Sequence, residues 1–405
     1  MDNHTKLLLI ACSGFETTQL AKDVSRILKE DYNLTDHVET LIPLTRDEVP
    51  DGTLKDHRHP LVIDHFHDME TQVDIGRNQL KDVVRGKHVT LVEHLLTPDR
   101  EIDGKTISVN DHHMTVRGLL NVIGKVDTLE RTLLSPYETY VRSHSIEKYE
   151  GRGFFQFDSL ALTLGDLKDG NLTNLITVDP HSPKASQIAE NFGLVYHWAN
   201  PFRSARAINP YKLGLSGAKA KKVLKRLRPF QELIQQTLNE NPNHTYFISV
   251  DDGTEKRVEN VVERILHHLP PEEAYALLAY LDKDRISYDN ATAKFKHFSQ
   301  INEKNIDKEG TYIIIDDMYA SGGTTTKAAK IFKELGAKKV IVLTTHAVTM
   351  PNQYEKANDR QYVDEVFCID TVPQNDELNV KYINATPDLL AAELYKVHQK
   401  LVMSR

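Results

Sequence analysis

Two adjacent carboxylates, Asp316 and Asp317, close an apolar, β-branched run, and a glycine-containing turn follows them. Residues 311–326 read TYIIIDDMYASGGTTT. The turn Ala320-Ser321-Gly322-Gly323-Thr324 is small and polar, and a helical pattern begins at Lys327. A strand that ends in a glycine turn and opens a helix is suited to holding a phosphate. Backbone N–H groups converge there, the helix start carries partial positive charge, and glycine admits a ligand close to the backbone. The paired acids add acceptors for vicinal ribose hydroxyls, reached directly or through a metal ion, at the strand edge where α/β proteins bind ligands. Asp316, Asp317, Ser321, Gly322, Gly323 and Thr324 therefore predict a ribose 5-phosphate site. No Gly-Lys-Ser/Thr follows the turn, which excludes a Walker loop.

The stretch resembles the phosphoribosyl-diphosphate (PRPP) motif of type I phosphoribosyltransferases and ribose-phosphate diphosphokinases. Ala320 stands where many diphosphokinases have Asp. Further segments resemble the diphosphokinase family in the same order. Phe66-His67-Asp68-Met69-Glu70 is similar to its Phe-Ser-Asn/Asp-Gly/Gln-Glu, Val84-Arg85-Gly86 to Val-Arg-Gly, and Val109-Asn110-Asp111 to the Asn-Asp before a long helix. Pro136-Tyr137-Glu138-Thr139-Tyr140-Val141-Arg142 resembles Pro-Tyr-x-x-Tyr-Ala-Arg, but the Asp-Arg-Lys that usually follows is diluted to His144-Ser145-Ile146-Glu147-Lys148. Val178-Asp179-Pro180-His181-Ser182 is similar to Met-Asp-Leu-His-Ala. Ser249-Val250-Asp251-Asp252-Gly253 is similar to Ser-Pro-Asp-Ala-Gly. Lys283-Asp284-Arg285 fits a flexible catalytic loop with Lys-x-Arg. Thr345-His346-Ala347 and Asp370-Thr371-Val372-Pro373 complete the series.

The resemblance implies a Mg²⁺-dependent transfer of diphosphate from ATP to ribose 5-phosphate. Phe66, Asp68 and Glu70 would meet the adenine of ATP bound to a neighbouring subunit, making the protein a homo-oligomer with a shared ATP site. Arg142 and His181 would contact the triphosphate. His181 and Asp251 would hold metal, and Lys283 and Arg285 would close over the transferring group. A diphosphokinase acting on a larger ribose-5-phosphate derivative such as ADP-ribose is an alternative. A phosphoribosyltransferase and a catalytically silent regulatory homologue are others. Two tandem units and the adenine segment argue against the transferase, and the retained His181, Asp251, Lys283 and Arg285 against the silent homologue.

Strand-like and helical patterns alternate to position these groups. Residues 6–13, 87–93, 172–179, 193–197, 245–251, 274–281, 312–317, 339–345 and 366–370 read as strands, and 17–29, 114–123, 258–267, 327–335 and 389–401 as helices. The expected fold is α/β: two tandem phosphoribosyltransferase-like domains, each a mainly parallel sheet flanked by helices. The expected division is 1–205 for the ATP side and 206–405 for the ribose-phosphate side with a C-terminal helix. Extra length falls near 28–62, 95–108, 145–157 and 203–243.

Composition agrees. The chain has 405 residues, 40% hydrophobic and 27% charged, with a net charge of −8. General nucleic-acid affinity is not expected, and the basic run from Lys219 to Arg228 reads as a solvated helix face. No apolar run reaches membrane-spanning length. Cys12 and Cys368 read as buried free thiols in a reducing cytoplasm. The nineteen histidines, His112 and His113 among them, show no paired Cys/His zinc spacing and read mostly as solvated surface.

Overall fold

A computed structural model describes residues 5–44, 61–65, 70–75, 82–98, 100–102, 105–143, 158–202, 209–251, 253–285, 291–297, 299–373 and 376–404. The chain forms two compact units that interleave in sequence. The first comprises 1–199, 210–220 and 386–405, and the second 200–209 and 221–385. The final helix thus packs with the first unit, unlike a single division at 205.

The first unit contains β1 (Leu7–Ala11), β2 (Val38–Leu41), β3 (Leu61–His65), β4 (Thr71–Ile75), β5 (His88–Val92), β6 (Glu101–Ile102), β7 (Lys105–Thr106), β8 (Glu130–Leu134), β9 (Asn174–Val178) and β10 (Val195–Ala199). Six of these form one sheet in the order β10-β9-β8-β5-β1-β2. All its pairings are parallel. Its main helices are α1 (Gly14–Glu30), α2 (Val109–Ile123), α3 (Ser159–Asp169) and α4 (Lys184–Asn191). β1, β5 and β9 are buried along their whole length because helices cover both faces. Leu8, Ile10, Leu91, Leu133 and Leu175 meet Val116, Leu120, Leu160 and Leu164 in one apolar cluster.

The second unit has β11 (Thr245–Ser249), β12 (Leu278–Arg285), β13 (Ala291–Phe295), β14 (Thr311–Tyr319), β15 (Lys339–Ala347), β16 (Glu365–Ile369) and β17 (Lys381–Ile383). They form a sheet in the order β13-β12-β11-β14-β15-β16-β17, parallel except for β12–β13. After α5 (Gly217–Arg226) come α6 (Pro229–Glu240), α7 (Glu255–Ile265), α8 (Pro271–Tyr275), α9 (Gly323–Glu334) and α10 (Tyr354–Asn358). Ile314, Phe332, Val342 and Cys368 are among the residues of its own core. The chain closes with α11 (Thr386–Met403), whose Tyr395 stacks on Tyr32 of the first unit at 4.7 Å.

Several expectations shift. Residues 274–281 are not one strand: Pro271 and two glutamates start the short α8, and β12 begins only at Leu278. Val109-Asn110-Asp111 belongs to α2 rather than preceding it, because Ser108 and Asp111 form a capping box. Several histidines are interior. His88, His94, His112, His346 and His398 are buried, so they depart from the mostly solvated reading; the Glu93 carboxylate, just beyond β5, supplies the partner of His112. Within the basic run, Lys219 donates to the Glu30 carbonyl at the end of α1, and Arg228 pairs with Glu232. Both cysteines are free and buried. Among the described residues, no helix is long and apolar enough to cross a membrane.

Candidate functional site

In each sheet the chain reverses its direction of progress once, and such a switch point opens a crevice at the carboxyl ends of the two strands beside it. In the second unit those strands are β11 and β14. Asp316 and Asp317 sit within β14, three and two residues before its end, because β14 continues pairing with β15 as far as Tyr319. Asp317 is buried, and its N–H donates to the Asp316 carboxylate at 2.9 Å. Burial, then the Asp317 carboxylate, with a smaller push from Asp251, holds Asp316 well above the usual carboxylate range.

The turn is tighter than its sequence implies. Only Ala320, Ser321 and Gly322 separate β14 from α9. Gly322 caps the helix at φ +68°, and a Cβ there would meet the Tyr319 hydroxyl at 2.7 Å. Only glycine satisfies both demands. The Thr349 hydroxyl reaches the carbonyls of Tyr319 and Ala320 at 3.1 and 2.5 Å, and Thr325 Oγ1 donates to the Gly322 carbonyl at 2.9 Å. The first turn of α9 holds no acidic residue, and Gly322 brings no capping side chain. Its start is therefore electrostatically open to an anion. Carboxylates and an anion-accepting helix start are thus fixed on one strand–turn–helix.

Asp251 follows β11, adjacent to β14 in the sheet. Thr254 locks its turn: Asp251 N–H donates to Thr254 Oγ1 at 3.3 Å, and Thr254 N–H donates to Asp251 Oδ1 at 3.2 Å. Among the described residues no three His, Cys, Asp or Glu side chains form a metal cage. Asp251, close enough to Asp316 to raise its pKa, is nevertheless an oxygen donor of the kind Mg²⁺ takes, one or two carboxylates with water and substrate phosphates. A cation would also replace the proton that the crowded carboxylates favour on Asp316.

Lys283 and Arg285 lie on β12, not on a loop after it. In the antiparallel pair, Lys283 stands opposite Ala293 and Arg285 opposite Ala291.

The remaining candidates belong to the first unit. Phe66 and Asp68 fall outside the described residues, and Glu70 lies exposed just before β4. Arg142 is exposed in a short 3₁₀ turn beyond β8. His181 is exposed beyond β9, two residues after Asp179. Asp179 is buried at φ +40°, and Tyr140, two residues before Arg142, has φ +64°. Such backbone is uncommon outside glycine and must be held by its surroundings. Both outliers adjoin residues expected to contact triphosphate, a signal that residue types do not carry.

Sequence reading also missed the switch-point crevice of the first unit, between β1 and β5. Ser13 Oγ donates to Glu93 Oε1 at 2.6 Å, His112 Nδ1 lies 2.7 Å from the same oxygen, and Arg100 donates to Ser13 Oγ at 3.0 Å. The acid ending the strand-like run at Glu93 was its only sequence signal.

Comparisons with known proteins extend these observations. Residues 306–405 match the phosphoribosyl synthetase-associated domain. The ribose-phosphate pyrophosphokinase of Prochlorococcus marinus is 23% identical over 347 residues, 85% of each chain. That of Campylobacter jejuni is 32% identical over 115 residues, 28% of this chain and 37% of its own. The crystal structure of the phosphoribosylpyrophosphate synthetase of Mycobacterium smegmatis aligns over 98% of this chain and 100% of that one, with a TM-score of 0.66 at 17% identity. The resemblance carried by the motifs therefore holds over most of the chain, and the fold is the two-sheet phosphoribosyltransferase type.

Proposed function

We propose that this chain, a divergent relative of the ribose-phosphate pyrophosphokinases, transfers the β,γ-diphosphate of ATP to ribose 5-phosphate, giving PRPP and AMP. The enzyme class is the one its relatives bear. The observation that carries the reading is the acid pair of β14 running into the glycine-capped start of α9 at the switch point of its sheet.

Ser321 to Thr324 hold the 5-phosphate through the start of α9, while Asp316 and Asp317 accept from the ribose hydroxyls. The anomeric hydroxyl then faces ATP. Its oxygen bonds to the β-phosphorus, the bond from that phosphorus to the oxygen bridging to the α-phosphorus breaks, and AMP departs with that oxygen. The hydroxyl proton passes to solvent. Such transfers depend on alignment and charge neutralisation more than on covalent help. Lys283 and Arg285 supply cations to the transferring group, Lys as a point charge and Arg as a fork. Arg142 and His181 engage the triphosphate, and Phe66, Asp68 and Glu70 the adenine, across a boundary between copies of the chain. Asp251 would hold Mg²⁺, which when bound would neutralise phosphate charge.

Incubation with ATP, Mg²⁺ and a panel of ribose phosphates including ADP-ribose, with products read by mass, tests the reading. It expects PRPP and AMP from ribose 5-phosphate. A diphosphorylated ADP-ribose alone would move the assignment to the larger acceptor.

A further inference from the structure

The segment between β8 and Arg142 contains an acid that the reaction does not use. Glu138 is only 6% exposed. Its Oε2 accepts from the Tyr196 hydroxyl of β10, while its Oε1 has no partner among the described residues. Glu138 lines a small cavity with room for about one water molecule, together with leucines such as Leu95, Leu133 and Leu160 and the hydroxyl residues Ser135, Thr139 and Thr163. His113 of α2 lines the same cavity. Its Nε2 lies 2.7 Å from Thr139 Oγ1, and its Nδ1 has no partner among the described residues. A carboxylate is expensive at so buried a position, and burial there favours the neutral acid.

The same groups hold the strained backbone. The His113 ring packs against Tyr140 at 5.5 Å, and the Tyr140 hydroxyl donates to Asn110. Tyr140 has φ +64° and lies two residues from Arg142. A bulky residue stays in that conformation only while its neighbours enforce it. Glu138, Thr139 and Tyr140 are consecutive, and their contacts with Tyr196, His113 and Asn110 tie the segment to β10 and α2.

We propose that Glu138 is a proton-operated positioning residue: as the neutral acid it braces the segment that presents Arg142, and loss of its proton loosens that segment and weakens nucleotide binding. The link to nucleotide rests on the placement of Arg142 at the phosphates of ATP. Burial raises Glu138 to about 7, with Tyr196 opposing, so the change falls near neutral pH. The other titratable groups facing it do not change there. Burial lowers His113 to about 4, with His112 adding to the effect, and Tyr196 is pushed well above its ordinary value.

Hydrogen exchange of residues 136–143, corrected for intrinsic rates, and calorimetry with a non-hydrolysable ATP analogue and Mg²⁺ test this from about pH 6 to about pH 8. In the wild type, protection and affinity should both fall several-fold as pH rises. Glu138→Gln, which keeps the neutral shape, should hold the low-pH values throughout. Tyr196→Phe removes the hydrogen bond that favours the anion and should move the transition to higher pH. An identical pH dependence in wild type and Glu138→Gln would overturn the brace. Protection that falls while affinity does not would overturn its link to nucleotide. Absence of nucleotide binding at every pH would reject the role given to Arg142, and the exchange data would still decide the brace.

Discussion

A Cβ at Gly322 would lie 2.7 Å from the Tyr319 hydroxyl, and that hydroxyl is held in place by the Ala357 carbonyl at 2.7 Å. The strand that carries the acids therefore dictates the residue that opens the helix. Gly322→Ala must strain the φ of +68° or displace Tyr319. We expect a loss of about 1–3 kcal/mol in urea unfolding and a marked loss of ribose 5-phosphate affinity. Unchanged affinity would show that the cradle does not hold the sugar phosphate.

Asp316 carries the opposite balance of stability and function. Its folded-state pKa lies above its unfolded value, so the native state binds the extra proton. Stability is therefore present at low pH and is lost as pH rises through the raised folded value. Asp316→Asn should raise the ligand-free melting temperature at neutral pH. Combined with Asp317→Asn it should abolish acceptor binding by calorimetry while ATP still binds. A double variant that binds the sugar phosphate normally would contradict the ribose assignment.

The strand–turn–helix was legible because its residue types come in a fixed order: apolar strand, acids, glycine turn, helix. Alternation of strands and helices likewise made the two-sheet fold readable. Strand ends were less legible. Nothing local distinguishes a strand that stops at Asp317 from one that pairs on to Tyr319, since the pairing partner β15 decides it. Lys283-Asp284-Arg285 reads as a polar loop until β13 is seen to pair with it. The Ser13–Glu93–His112 network joins residues 80 and 19 positions apart in sequence, which only the sheet order brings together. The strained φ of Tyr140 has no signature in residue type at all.

Lys283 lies on β12, opposite Ala293 of β13. Lys283→Ala should lower kcat by about a hundredfold or more with little change in ATP or acceptor affinity, because the cation acts on charge developing in the transition state. If the ATP site is shared between copies, mixing this variant with Phe66→Ala should restore part of the activity. One mixed boundary would unite an intact Phe66 with an intact Lys283. No recovery despite demonstrated subunit exchange, or a fully active monomer in light scattering, would contradict the shared site.

His88 Nδ1 and His398 Nδ1 are 3.3 Å apart, joining β5 to α11 within the first unit. Burial lowers His88 to about 3 and His398 to about 4. Both values lie below the unfolded value, so the stability from keeping these rings neutral is present above about pH 6.5 and is lost as pH falls through the folded values. His398→Leu should flatten the decline of the urea midpoint between about pH 6 and pH 4. An unchanged slope would locate acid sensitivity elsewhere.

Labelled ATP tests the central claim most directly. With ribose 5-phosphate, Mg²⁺ and ATP labelled separately at the β- and γ-phosphorus, diphosphate transfer predicts both labels in one sugar product and one AMP for each product formed. Transfer of the γ-label alone with release of ADP, or AMP formation with no labelled sugar, would contradict it.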